Sequence, residues 1–260
     1  MREFLTALFL CFLFGVSVGA QPKTDREILG LVGPVKTLSI RRTETWLLVT
    51  KPGDPKEGPQ QLITFDEHGH KVQEDLYNPD GTLWWKWVYS YHANGYKSEE
   101  SRYDASGRLI LRNSFQYEFD AQGKLITLSI YDADGRLYEK MIKNYNSSGL
   151  MSDSTTYDRD GSIQNKSVFT YEQKGSLPDL TLYNSKGVIV QKQIRSPSQS
   201  ESVLYTDDGT LKWRELRSAP VPEDYDARGN WTTQTTKKVI TQRGRSGEVV
   251  EVVRRLITYY

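Results

Sequence analysis

Apolar and polar residues alternate with the period of two that marks half-buried strands, in short runs closed by glycine turns. Glycines stand at 69, 81, 95, 107, 123, 135, 149, 161, 175 and 187, spaced by 12 and 14 residues in turn, with a single 16. Four residues before each stands an aromatic: Phe65, Tyr77, Tyr91, Tyr103, Phe119, Tyr131, Tyr145, Tyr157, Tyr171 and Tyr183. Asp or Asn follows that aromatic in eight of ten cases, and the residue two past the glycine is apolar in eight of ten, as at Leu83, Leu109, Leu125, Leu137 and Ile163. A repeat this regular dictates the architecture before any local reading.

Each part of the unit has a physical task. Asp or Asn at the first turn position bonds the backbone ahead of it, and glycine at the fourth takes a positive φ. Asn78-Pro79-Asp80-Gly81 fits best, since Pro79 already holds the φ of the second position. The predicted connection is a type I turn closed by a glycine bulge. Asn78 then faces Thr82 and Tyr77 faces Leu83, a cross-strand pair. Because every spacing is even, all aromatics and leucines are expected on one face of the sheet. The same register sets Glu74 opposite Lys86, Glu100 opposite Arg112 and Lys143 opposite Asp153. The expected fold is all-β: an antiparallel meander of repeated β-hairpins in a long twisted or spiral sheet, with a shell or partly closed barrel as its curled forms. Apolar residues on both faces of one strand (Ile126, Leu128 and Ile130 against Leu125 and Tyr131) point to such curling.

The unit resembles the YD repeat of Rhs, teneurin and wall-associated proteins. The resemblance runs from Phe65 to Ile189, with further copies at Tyr205–Leu211 and Tyr225–Trp231, and Tyr131-Asp132-Ala133-Asp134-Gly135-Arg136-Leu137 is close to the family consensus. It implies export and a sheet wound into a spiral or shell, which in large members encloses a toxin. This chain is similar to a small stand-alone member, without a toxin module or a self-cleaving Asp-Pro motif.

Outside the repeat, Arg2 precedes an uncharged run from Phe4 to Val18 and the small residues Val18-Gly19-Ala20. The run is too short to span a bilayer and reads as a secretory signal over residues 1–20. Cys11, the single cysteine, falls within it, so the mature chain has no disulfide and no thiol chemistry. Residues 21–64 comprise an exposed arm, a strand from Lys36 to Thr50 with Leu38, Ile40, Trp46 and Leu48 to bury, and a Pro/Gly loop over Lys51 to Pro59. The repeats proper fill 65–195. Residues 196–260 hold irregular copies, a linker at Ala219-Pro220-Val221-Pro222 and a hairpin of Thr232–Thr241 with Val249–Tyr260, suited to covering an open edge.

With 34 basic against 33 acidic side chains, no overall field draws the chain to nucleic acid or to anionic lipid. Asp132-x-Asp134-Gly135 and Asp158-x-Asp160-Gly161 resemble half a calcium loop without its later ligands, and His68-Gly69-His70 lies on a turn; neither is assigned a metal. No nucleophile triad or phosphate loop is present, so no catalytic residue and no cofactor is expected. In Leu83–Tyr91, the residues Leu83, Trp85, Trp87, Tyr89 and Tyr91 are assigned to the core face. Trp84 points away from it, beside a basic row of Lys86, Arg112, Lys140 and Lys166, five residues past their glycines. Rings beside cations suit sugars or acidic polymers. These five residues are the candidate binding surface, for a glycan or an envelope protein. The sequence therefore describes an exported, non-enzymatic repeat scaffold, periplasmic or extracellular, with no stable membrane insertion after signal cleavage. An outer-membrane β-barrel is the alternative, and a carbohydrate-active enzyme is ranked below both.

Overall fold

The computed structural model describes residues 22–47, 56–172, 177–196, 198–242 and 245–260. The signal segment, the centre of the Pro/Gly loop with Leu48, and Gly175 lie outside the described residues, as does the side chain of Trp46. After a single helical turn, α1 (Asp25–Ile28), every further regular element among the described residues is a strand. The strands are β1 (Val35–Leu47), β2 (Lys56–Phe65), β3 (Lys71–Tyr77), β4 (Leu83–Tyr91), β5 (Lys97–Asp104), β6 (Leu109–Phe119), β7 (Leu125–Tyr131), β8 (Leu137–Tyr145) and β9 (Met151–Asp158). They continue with β10 (Ile163–Thr170), β11 (Asp179–Asn184), β12 (Ile189–Arg195), β13 (Gln199–Tyr205), β14 (Leu211–Ser218), β15 (Val221–Tyr225), β16 (Trp231–Gln242) and β17 (Arg245–Tyr259).

Each strand from β1 to β14 pairs antiparallel with the next, β14 passes to β16, β16 to β17, and β17 returns to β1. Strand β15 lies along β16 as the continuation of β14. The linker at 219–220 is thus a break within one strand position, and the 17 strands close a ring of 16. The closing hairpin, β16 and β17, forms as expected except that β17 begins four residues earlier, at Arg245, and it covers the edge of β1 by pairing with it from Val35 to Leu47. Closure removes both sheet edges.

The turns form as the sequence chemistry requires. Asn78 N–H donates to Thr82 O (2.8 Å), Gly81 N–H donates to Asn78 O (2.9 Å), Gly81 has φ +84°, and Tyr77 faces Leu83. A Cβ at Gly81 would meet nothing within 4 Å, so Gly81→Ala is expected to cost only the left-handed backbone penalty, about 1–2 kcal/mol. At Gly69 the added atom would also lie 2.9 Å from the Arg26 guanidinium. Thermal unfolding should therefore rank Gly69→Ala below Gly81→Ala.

The bulge has a consequence that even spacing conceals. Tyr77 faces Leu83, but Leu76 faces Trp85, so one extra residue enters the strand beyond the turn and its side chains change face. The same shift recurs at other hairpins. The aromatics therefore do not share one face. Phe65, Tyr91, Tyr145 and Tyr171, near the turns at one end, point into the ring; Tyr77, Tyr103, Tyr131, Tyr157, Tyr183 and Tyr205, at the other end, point outward, as does Leu83. The expected charge pairs slip by one residue for the same reason. Lys86 faces Asp75, Arg112 faces Ser101, and Lys143 faces Ser154.

The inward face is identified by ion pairs that step over a whole strand. Arg217 on β14 reaches Glu251 on β17 (3.5 Å), and Lys238 on β16 reaches Glu44 on β1 (3.0 Å). Such reach is possible only on the concave side. Inward tyrosines add a ladder: the hydroxyls of Tyr91, Tyr117, Tyr145 and Tyr171 donate to the carbonyls of Lys71, Lys97, Leu125 and Met151, each 20 residues back. In the unit with the 16-residue spacing the ladder uses Tyr117, two residues before Phe119, and this absorbs the two extra residues.

The arm expected to be exposed is instead docked on one end of the ring. Thr24 caps α1 in a capping box with Glu27. Asp25 accepts from Lys71 N–H (2.9 Å) and the Tyr91 hydroxyl (2.8 Å), and Arg26 N–H donates to Gly69 O (3.0 Å). Leu31 is buried with Val35, Leu38, Ile40, Ile63, Phe65 and Val253, the main apolar core. Asn230 locks the far side, bonding Val32 N–H, Val32 O and the Tyr259 hydroxyl.

Candidate functional site

The outer wall carries the four bases singled out from the sequence. Trp84 is 47% exposed and stacks on Trp85 with ring centroids 3.9 Å apart. Lys86, Arg112, Lys140 and Lys166 stand on β4, β6, β8 and β10, all outward, every second strand and so about 9.5 Å apart. The register extends the row to Lys192 and Arg214, also five residues past glycines, which the sequence could have supplied by counting on from Gly187 and Gly209. Carboxylates engage part of this row: Arg112 pairs with Glu99 (3.0 Å), Lys166 with Asp153 (3.7 Å) and Arg214 with Glu201 (2.6 Å). Between the row and the turns runs an outward belt of Tyr77, Tyr103, Tyr131, Tyr157 and Tyr183 with their leucine and isoleucine partners, flanked by exposed Ile110 and Tyr138. The four bases thus share one wall, as a band around the ring rather than a pocket, whereas Trp84 is the bulged residue after the turn, without a cross-strand partner, and leans on inward-facing Trp85.

The suspected metal sites are occupied by turn chemistry. Asp132 Oδ1 accepts from Asp134 N–H and Arg136 N–H, both 3.0 Å. His70 lies 3.3 Å from Asp66 and stacks on Tyr91 at 4.5 Å. Among the described residues no group of three or more His, Cys, Asp or Glu is placed to hold a metal.

The inner wall is different in kind. It carries buried charge: Glu100 on β5, Lys143 on β8, Lys238 on β16 and Glu251 on β17 are each under a tenth exposed. Lys97 binds Glu100 (3.1 Å) and lies over the rings of Tyr89 and Phe115. Lys71 binds Glu74 (2.6 Å), which also accepts from Gln61 and Tyr89. Burial works to raise the Glu74 carboxyl, and the Lys71 charge with these hydrogen bonds outweighs it, leaving the group below its ordinary value. Where β14, β16, β17 and β1 meet, a cavity of about 240 Å³ opens on the inside, lined in part by Arg42, Arg217, Trp231, Gln234, Glu251 and Arg255. Sequence reasoning missed these residues because all but Trp231 lie outside the repeat unit, and only ring closure brings β1 beside β17.

No family model matches the chain, and no curated protein matches it. Among solved structures it is similar to a porin-like protein from Bacteroides uniformis, at 9% identity and a TM-score of 0.44, over 86% of this chain and 98% of that one. It is also similar to the TcdB2-TccC3 complex, at 10% identity and a TM-score of 0.23, over 79% of this chain and 17% of that one. A complex of MucB with MucA follows at 12% identity and a TM-score of 0.15, over 84% of this chain and 89% of that one.

Proposed function

We propose that the protein is a non-catalytic barrel of the bacterial envelope whose working compartment is its lumen. The observation that carries this reading is the closed ring of 16 strands, which favours the barrel alternative over an open scaffold presenting a sheet face. A closed sheet has no edge to lend to a partner strand, and its polar interior is the surface no repeat rule explains. On this reading the YD-type units are wall segments, each hairpin adding a fixed increment of circumference.

The outer membrane is a second reading of where the barrel sits, and the outward belt of tyrosine, leucine and isoleucine favours it, since such girdles mark membrane interfaces. The row from Lys86 to Arg214 opposes it, because each cation at the midplane of a bilayer costs about 2–4 kcal/mol. We therefore assign the barrel to water within the envelope. Expressed with its leader in a Gram-negative host, the protein should appear in the osmotic-shock fraction. Recovery in the membrane pellet after a carbonate wash would replace this assignment with the outer-membrane one. The glycan surface is tested separately by pull-down on cell-wall polysaccharide with Trp84→Ala; equal capture of the variant removes Trp84 from the surface.

A further inference from the structure

We propose that the lumenal cavity beside β1 and β17 is a binding site for a small dianionic oxyanion, a phosphate or a short dicarboxylate. Arg42, Arg217 and Arg255 line the cavity against one carboxylate, Glu251. That carboxylate is already engaged: Lys238 lies 2.8 Å from it and Arg217 3.5 Å. Arg217 also takes Glu215 (2.9 Å), and Lys238 takes Glu44 (3.0 Å). The nearby acids are thereby spent on Arg217 and Lys238, and among the described residues no carboxylate is bonded to Arg42 or Arg255.

Register then places those two cations together. Ile40 faces Arg255 and Arg42 faces Val253, so Arg42 and Arg255 are diagonal neighbours on the inward face of the β1–β17 seam. Burial and the adjacent Arg42 charge pull the Arg255 guanidinium down to about 10. Two like charges side by side at a partly desolvated wall are a cost that folding alone does not explain, and an anion between them would offset it.

The Arg255 guanidinium is also fixed in orientation. It lies over the Trp231 ring at 3.5 Å, which sets its plane. Its Nε and Nη1 are buried and have no hydrogen-bond partner. An orphaned buried donor is destabilising, the more so when charged, so the fork is held ready at that expense for an acceptor the chain does not supply. Guanidinium forks match the paired oxygens of phosphate and carboxylate groups. Gln234, on the same wall, adds an amide able to donate to a further oxygen. At about 240 Å³ the cavity is smaller than most ligand pockets, which selects a compact anion over a polymer.

The inference does not depend on where in the envelope the barrel sits. Calorimetric titration of the whole mature protein at low salt, with inorganic phosphate and with succinate in separate arms, tests it. Saturable binding of either anion is expected, and the arm that binds identifies the oxyanion type. Arg255→Gln and Arg42→Gln should each weaken it tenfold or more, with far-UV circular dichroism confirming the barrel. Arg254→Gln removes the same charge one residue away on the outer wall and should change affinity less than twofold. No binding in either arm, or equal weakening by Arg254→Gln and Arg255→Gln, overturns the site. Retained affinity in both the Arg42 and Arg255 variants does so as well.

Discussion

Lys238→Met is expected to lower the unfolding free energy by about 3 kcal/mol, the lower end of the range for breaking a buried ion pair. Lys238 is 4% exposed and is bonded to two carboxylates, Glu44 and Glu251, on different strands. Without it, Glu251 keeps only the longer contact to Arg217, and a buried carboxylate is left short of charge. The cost is held toward the lower end because that contact survives. Replacing Glu251 as well should restore much of the loss, since an apolar pair of similar volume avoids the desolvation that the ion pair merely offsets. Guanidinium unfolding of the two variants measures this directly. A change below about 1 kcal/mol in Lys238→Met would mean that the residue meets water, and the inward face would be wrongly assigned.

Phe65→Ala should cost about 3–5 kcal/mol, whereas Phe119→Ala, at the same position of another repeat unit, should cost about 1 kcal/mol or less. The sequence gives both residues one role. The structure leaves Phe65 1% exposed and Phe119 36% exposed. The difference is the docked N-terminal segment, which brings Leu31 and Val35 onto the core around Phe65 and has no counterpart at Phe119. Removing the phenyl ring opens a void among Leu38, Ile63 and Val253 that a rigid ring of strands cannot close. Similar losses in the two variants would show that this segment adds nothing to the core.

These contrasts show what local pattern reveals and what it hides. Turn type and the Tyr77–Leu83 pair could be read from Asn78, Pro79 and Gly81, because a hairpin is decided within a few residues. The face assignment held for Trp85, Trp87, Tyr89 and Tyr91 and failed at Leu83, the first strand position beyond the turn, because a bulge inserts a residue without disturbing the spacing of glycines. The outward basic row was legible, since it recurs with the unit. Arg42, Arg255 and Lys238 were not: their neighbourhood is created by strands more than 190 residues apart meeting at the seam. Docking of Asp25 on Lys71 and Tyr91 was hidden likewise, in a segment whose polarity resembles that of any exposed arm.

The seam has a kinetic side. Thr37 and Thr258, bonded across it, are 221 residues apart, whereas each hairpin pairs residues close in sequence. Hairpins can form as the chain emerges, but the last strand must exist before the first can be satisfied on both sides. Contact order of this kind slows the final step and leaves β1 and the growing end as two open borders until then. A chain stalled before β17 would be nearly complete in contacts yet sticky at both margins, so aggregation in truncated forms should track the loss of that one strand rather than the fraction of sequence removed.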